Sequence, residues 1–200
     1  MTQFPPTARS TARRRPQRAS HERAAVYAIL DEALVAHVGF VEDGRPVVIP
    51  ICHWRIGDTL YLHGAARSRL LETVASGAPL SIAVTLLDGL VLARSAFSHS
   101  MNYRSVVIFG GGHEVVDPDE KSRVLLALVD KMEPGRAALV RPPNPAELAA
   151  TLVTAVPLAE ATAKMRSGPP ADAPADPAWP VWSGVAVVRQ QVVAREPAET

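Results

Sequence analysis

The sequence predicts a mainly β domain: an antiparallel barrel or sandwich with peripheral helices. Three observations lead there. Apolar, β-prone runs follow one another at hairpin spacing, with Asp-Gly or Gly-Asp turns between them. The helical segments are inserted among these runs and do not alternate with them, which argues against a parallel βαβ sheet. The 200 residues are 48% hydrophobic, enough for one domain with a sizeable core.

Taken in order, Ser20 is placed to cap a helix carrying Val26, Ile29, Leu30 and Ala33 on one face. The run 34–41 is apolar and β-prone, and Asp43-Gly44 marks a tight turn into a strand over 46–55. Gly57-Asp58 turns the chain into a third strand, 60–63, which ends in a short loop of small residues and two arginines. Leu70, Leu71, Val74 and Ala75 then fall at helical spacing, and Gly77 with Pro79 stops that helix. Strands are predicted over 80–87 and 90–93 with a turn at Asp88-Gly89. A long strand over 103–116 follows, bulged at Gly110-Gly111-Gly112. Asp117-Pro118-Asp119-Glu120 is the clearest helix start, with an Asp cap, Pro at the first position and Glu at the third. That helix should reach Met132, and Asn144-Pro145-Ala146-Glu147 repeats the grammar for a short one. The run 151–163 reads as a strand interrupted at Pro157, 167–180 as a Pro/Ala/Asp loop, and 181–193 as a closing strand.

Charge is unevenly placed. Arg9, Arg13, Arg14, Arg15 and Arg18 fall before the first acid, Glu22. They supply +5 of a net charge of +1, leaving about −4 on the remainder. With Pro5, Pro6 and Pro16 among them, residues 1–19 read as a disordered, Arg-rich arm, and 20–195 as the folded domain. The overall balance does not suggest nucleic-acid binding. The apolar run after the arm is short and closed by Asp31-Glu32, so it is not a secretory signal. No stretch approaches a membrane span. Cys52 is the single cysteine, which rules out an internal disulfide and suits a reducing cytoplasm.

The chemistry concentrates where the third strand meets its helix. A helix start presents unpaired N–H groups and the positive end of the helix dipole. Arg67 and Arg69 add guanidinium forks and Ser68 a hydroxyl, which together make a plausible phosphate cradle. It is not a P-loop, since no Gly-Lys-Ser/Thr closes it. Other motifs fail. Gly110-Gly111-Gly112 lacks the dinucleotide spacing, and Ser98-His99-Ser100 has no nucleophile elbow. His37, His53, His63, His99 and His113 never pair at a metal-ligand spacing, so no metal site is predicted.

An ordered series of segments resembles a known family. It comprises Gly44-Arg45-Pro46 with Ile49-Pro50, then Gly57-Asp58-Thr59-Leu60-Tyr61-Leu62-His63-Gly64-Ala65 with Ser68-Arg69. Next comes Ser98 to Val107, then Lys164-Met165-Arg166-Ser167-Gly168-Pro169-Pro170, and finally Trp182-Ser183-Gly184-Val185. From about Arg23 to Val193 the chain resembles the pyridoxamine 5′-phosphate oxidase-related family, and within it the flavin-nucleotide-binding, nitroimidazole-resistance-reductase-like branch. The resemblance implies an FMN-binding split β-barrel of antiparallel Greek-key type, working as a homodimer with FMN between the subunits. It places the backbone of Val48, Ile49, Pro50 and Ile51 at the isoalloxazine edge, and His63, Gly64 and Ala65 at the strand end. Arg67, Ser68 and Arg69 fall at the phosphate, Arg104 and Ser105 at a further basic and hydroxyl contact, and Trp182 near the partner's flavin. Leu70 stands where the oxidase has a lysine, and no Arg-x-His follows Trp182, so pyridoxamine 5′-phosphate is not the expected substrate.

Two functional classes follow from the resemblance. One is an FMN-dependent oxidoreductase that reduces a small organic acceptor with NAD(P)H, with His63 as candidate proton donor. The other is a flavin carrier, sensor or regulator without turnover. Heme-binding split barrels give a minor third reading.

Overall fold

The computed structural model describes residues 1–174, 176 and 179–197. Among these are ten strands and four α-helices. In chain order they are β1 (Ala19–Ser20), α1 (Arg23–Glu32), β2 (Val35–Glu42), β3 (Arg45–Ile56), β4 (Thr59–Ala65) and α2 (Arg69–Ala75). Then come β5 (Leu80–Leu92), β6 (Ser100–Gly110), β7 (His113–Glu114), α3 (Pro118–Met132) and α4 (Pro145–Ala150). The chain closes with β8 (Thr151–Pro157), β9 (Glu160–Arg166) and β10 (Gly184–Val187). The sheet runs β1-β9-β6-β5-β2-β3-β4-β8-β7, with β10 pairing β5. The mainly β, antiparallel class is therefore the one predicted. The chain divides into two compact units, Met1–Thr85 with Ser105–Lys164, and Leu86–Arg104 with Met165–Thr200.

In the first unit the helices sit where their caps put them. Asp117 accepts from the Glu120 amide at 2.7 Å to open α3, and Asn144 with Glu147 forms a reciprocal capping box on α4. At α1 the expected cap differs. The helix starts at Arg23 after Glu22, and Ser20 lies in β1, its hydroxyl accepting from the Glu22 amide at 3.2 Å. Trp54 and Tyr61 face each other across β3 and β4 and stack at 5.7 Å, in a core shared with Val124 and Leu128 of α3 and Val153 of β8.

Four expected strand regions have different bounds. The one predicted over 103–116 splits into β6 and β7, because the glycines between them pack backbone on backbone. A Cβ on Gly111 would lie 2.5 Å from the Gly77 carbonyl oxygen, and one on Gly112 2.8 Å from that of Ala155. The run 151–163 is two strands, β8 and β9, parted after Pro157. In the second unit no turn breaks β5 at Asp88-Gly89. Instead Gly89 pairs with Val187 of β10, and a Cβ there would meet Val185 at 2.7 Å. The closing strand is only Gly184–Val187, shorter than the predicted 181–193.

The largest departure is the arm. Residues 1–19, expected to be disordered, lie on the first unit. Phe4 is fully buried, edge-on to Tyr27 at 6.0 Å and under the Arg23 guanidinium at 4.3 Å. Its amide donates to the His21 carbonyl at 2.8 Å. Farther along, Thr7 and Arg9 both bind the Glu160 carboxylate, and Ala19 and Ser20 extend β9 as β1. Composition hid this, because one buried phenylalanine outweighs several prolines as an anchor.

His53 is fully buried at the changeover between β2 and β4. Its Nε2–H donates to the Leu30 carbonyl at 3.1 Å, an oxygen that also accepts from Lys131 Nζ at 2.8 Å. Desolvation first, then the Lys131 ammonium, lowers the imidazole to about 4 from 6.5. The unfolded chain thus binds a proton that the folded chain refuses between those values. Stability present above pH 6.5 should fall as pH drops towards 4, by up to ~1.4 kcal/mol per unit from this group. Urea midpoints measured from pH 7 to 4.5 should show that slope, and His53→Phe should flatten it.

Candidate functional site

Strand β3 changes partners part-way along its length. Its residues Arg45 to Cys52 pair with β2, and His53 to Ile56 pair with β4. Beyond the His53–Leu62 pair the two strands separate. β4 continues as His63-Gly64-Ala65, held on its other side by Val153, Leu152 and Thr151 of β8. A wedge opens between them. One lip is the edge of β3 over 46–51, which has no strand on that side among the described residues. Its N–H and C=O groups are free for a ligand, and an open edge tolerates Pro46 and Pro50, which have no N–H for a ladder. The other lip is the end of β4.

The loop leaving β4 is folded tightly. Ala66 N–H donates to the Ala150 carbonyl at 3.0 Å and Ser68 N–H to that of Ala65 at 2.9 Å. The first intrahelical bond of α2 runs from Glu72 N–H to the Ser68 carbonyl, so the amides of Arg69, Leu70 and Leu71 have no acceptor within the helix. The Ser68 hydroxyl makes no capping bond. Arg69 reaches the Glu42 carboxylate at 2.8 Å, tying α2 to the end of the β2–β3 hairpin and setting a cation at the mouth of the wedge. Both partners are substantially exposed, and such a pair contributes at most about 1 kcal/mol, so a stronger anion can displace Glu42. Arg67 is exposed and forms no ion pair among the described residues.

His63 stands at the apex, the first residue of β4 past the parting of the strands. It is half-buried, edge-on to Trp54 at 5.6 Å, with its Nδ1 buried and without a hydrogen-bond partner. Burial lowers its pKa, which keeps the imidazole neutral at pH 7 with a lone pair to give. The wedge therefore brings together Val48, Ile49, Pro50, Ile51, His63, Gly64, Ala65, Arg67, Ser68 and Arg69. The remaining predicted contacts have other partners. Arg104 grips Asp88 through Nε at 3.0 Å and through Nη2 at 2.8 Å. Ser105 donates to the Lys164 carbonyl at 3.0 Å. Trp182, in the second unit, is 63% exposed and lies over Gly184, where a Cβ would meet its ring at 2.6 Å.

Sequence reasoning missed Glu42. An acid one residue before an Asp-Gly turn carries no spacing signal, and only the wedge shows why it matters. A cleft of about 470 Å³ behind α2, lined by Glu72, Ser76, Glu114 and Lys121 among others, contains none of the predicted contacts. Its lysine ammonium is held by the Leu148 and Thr151 carbonyls. No group of three or more His, Cys, Asp or Glu able to hold a metal occurs among the described residues.

An antiparallel sheet that opens between two of its strands is the architecture of a split β-barrel. The chain belongs to the pyridoxamine 5′-phosphate oxidase family, whose profile matches residues 22–165. Among solved structures it is similar to the flavocytochrome Anf3 of Azotobacter vinelandii, at 38% identity over 98% of this chain and 91% of that one, with a TM-score of 0.90. It is also similar to the FAD and heme binding protein of Mycobacterium smegmatis, at 39% identity over 90% and 89%, TM-score 0.86. A protein of Bacteroides thetaiotaomicron named for 5-nitroimidazole antibiotic resistance shares the fold at 22% identity over 73% and 85%, TM-score 0.62. No curated protein matches.

Close packing of β4 on α2 depends on Gly64, where a Cβ would come 3.1 Å from Leu71 Cδ1. Gly64→Val should push the start of α2 away and cost about 1–3 kcal/mol by overpacking. The check is a lowered melting temperature, together with weaker binding of a phosphate-bearing flavin.

Proposed function

We propose that this chain is a flavin-binding redox protein that also takes up heme. The observation that carries this reading is the wedge. It has an open backbone edge on one lip, cations and helix amides at its mouth, and at its apex a neutral imidazole with no hydrogen bond. Flavin rings have a polar edge suited to backbone N–H and C=O groups, and their phosphate suits Arg67, Ser68 and Arg69. No protein hydrogen bond holds the buried Nδ1 of His63, so the imidazole is not committed to the protein and would serve as a ligand to heme iron through its other nitrogen. Two relatives near 40% identity support the pairing, since one is named a flavocytochrome and the other an FAD and heme binding protein. FMN, expected from the resemblance, shares with FAD the phosphate this cradle would hold. FAD is the flavin named for the second relative and the first to test.

When bound, flavin supplies one- and two-electron chemistry and heme supplies one-electron chemistry. The protein's part would be to hold them, with Arg69 and Ser68 at the phosphate, β3 along the ring edge and His63 at the iron. Electron transfer between these groups is the function this arrangement suits. Reduction of a small organic acceptor by NAD(P)H is the enzymatic form of the same reading.

A second copy of the chain is the proposed partner. On one face of the β2–β3 pair, Val35 (48% exposed), Val41 (66%) and Val48 (64%) stand outward together with Pro46, Pro50 and His37. An apolar sheet face of this kind needs covering, and it adjoins the open edge of β3. The reading places the protein in the cytoplasm, in keeping with its one free thiol, Cys52. Among the described residues no helix is long and apolar enough to cross a membrane.

The purified protein should be coloured, with flavin bands and a Soret band after reconstitution with FAD and hemin. His63→Ala should remove or shift the Soret band and leave the flavin bands. If His99→Ala does so instead, the iron ligand lies there. A protein that takes up neither group ends this reading.

Arg69→Ala should weaken FAD or FMN ten- to a hundredfold, the loss of a charge-assisted contact of ~1.5–3 kcal/mol, and leave riboflavin unchanged. Glu42→Gln, which frees Arg69, should tighten the phosphate-bearing flavins; titration calorimetry measures both. Val48→Asp should shift the protein towards monomer in sedimentation.

A further inference from the structure

The arginines of the arm are a feature the flavin and heme reading does not use. They are held in place. Phe4 and Ser10 are buried, Arg9 pairs with Glu160 at 2.5 Å, and Lys164 Nζ donates to the Arg14 carbonyl at 3.1 Å. A turn over Pro16–Arg18 then leads into β1, where Ala19 pairs with Lys164. Between these anchors Arg13, Arg14 and Arg15 are exposed and Arg18 half-exposed. None of the four has an ion-pair partner among the described residues. Four unpaired guanidinium groups within residues 13–18 repel one another. Such a patch is retained at a cost in stability unless an anionic surface covers it.

Its position adds to this. Lys164 faces the arm on one side, and on the other its carbonyl accepts the Ser105 hydroxyl at 3.0 Å. Ser105 is one of the residues that the family resemblance sets beside the flavin. The basic patch thus lies one strand away from Ser105, a residue of β6 that stands outside the wedge of β3 and β4.

We infer that Arg13, Arg14, Arg15 and Arg18 form the docking surface for an acidic, one-electron carrier protein that delivers electrons to the bound cofactor. The inference rests on the flavin and heme reading. The patch is a surface, not a pocket, so it suits a protein face and not a small anion. Phe4 is the one aromatic residue before Tyr27 and it is buried, which leaves no platform on which single-stranded bases could stack. The single 3-10 turn offers no helix or ribbon to enter a duplex groove. Apart from Met1, the arm exposes no large apolar side chain to anchor in a bilayer. The rest of the chain carries about −4 against the +5 of the arm, so an approaching acidic protein is oriented towards this face and repelled elsewhere. Two reduced carriers give one electron each. With two protons from solvent these convert oxidised flavin to its reduced form and leave two oxidised carriers.

The test uses the full chain and a variant with Arg13→Gln, Arg14→Gln, Arg15→Gln and Arg18→Gln together. The probes are a reduced acidic [2Fe–2S] ferredoxin and a reduced flavodoxin, with dithionite as a small reductant. In stopped flow, the second-order rate from the carriers should fall at least about tenfold in the variant at low salt. The wild-type rate should itself fall steeply as salt rises from about 20 to 200 mM. Reduction by dithionite and cofactor content should be unchanged, and the melting temperature should not fall. Equal carrier rates in the two proteins, or a wild-type rate indifferent to salt, overturn the docking surface. So does a variant that keeps the carrier rate but loses binding to duplex DNA or phosphatidylserine vesicles. Should the variant fold poorly, Arg13→Gln with Arg15→Gln should lower the rate by a smaller, salt-dependent factor, and no change would overturn the inference. Carrier binding followed by sedimentation separates the two readings. A protein that binds the carriers but takes up no cofactor overturns the cofactor reading alone, and one that is coloured, reduced by dithionite and indifferent to the carriers overturns the docking surface alone.

Discussion

The candidate site depends on one exchange of hydrogen-bond partners, at Cys52 and His53 of β3. Up to Cys52 the strand belongs to β2, and from His53 it belongs to β4. Buried backbone groups must be paired at such an exchange, and here the His53 amide donates to the Leu34 carbonyl at 3.3 Å, one residue before β2 begins. Immediately beyond, Trp54 stacks on Tyr61 across the new pair, a cross-strand contact of about 0.5–1.5 kcal/mol beyond its burial. The strands are therefore clamped on both sides of the point where they part. The open edge is available because the changeover itself is closed.

Electrostatics arranges what surrounds that opening. On the core side, Lys131 and His53 both direct donors at the Leu30 carbonyl, near the C-terminal end of α1 where the helix dipole is negative. That arrangement satisfies the last turn, while burial first and then the Lys131 ammonium keep the imidazole neutral. On the open side, Arg69 is held by a carboxylate weak enough to be replaced. Burial separates the two sides: the polar groups of the core side fix the strand exchange, and the exposed pair at the mouth remains available.

Much of this was legible in the sequence. The β class, the helix starts at Asp117 and Asn144, and the strand–loop–helix carrying Arg67, Ser68 and Arg69 all rest on local signals of a few residues. Hairpin turns such as Asp43-Gly44 state their conformation directly. In the structure Asp43 has φ 50° and Gly44 φ 73°. What escaped were contacts across long stretches of chain. Glu42 meets Arg69, Glu160 meets Thr7 and Arg9, and Phe4 meets Tyr27 without any periodicity to announce them. The arm read as disorder because composition averages over residues, while order there rests on a few particular contacts, above all the buried Phe4 ring. Asp88-Gly89 read as a turn because the sequence does not show that β10 would lie against it.

The glycines between β6 and β7 have a consequence for how the chain can vary over generations. Gly111 leaves no room for a side chain against the carbonyl of Gly77, and Gly77 sits at φ 77°, where other residues are strained. The two positions, 34 residues apart, constrain one another. Relieving the crowding at 111 requires the backbone at 77 to move, and the most direct way to move it is to give up its left-handed turn. A lineage that loses one glycine without the other passes through a poorly packed intermediate. The pair should drift as a unit, and β5 and β6, which lie between them, are free to change only in ways that keep both.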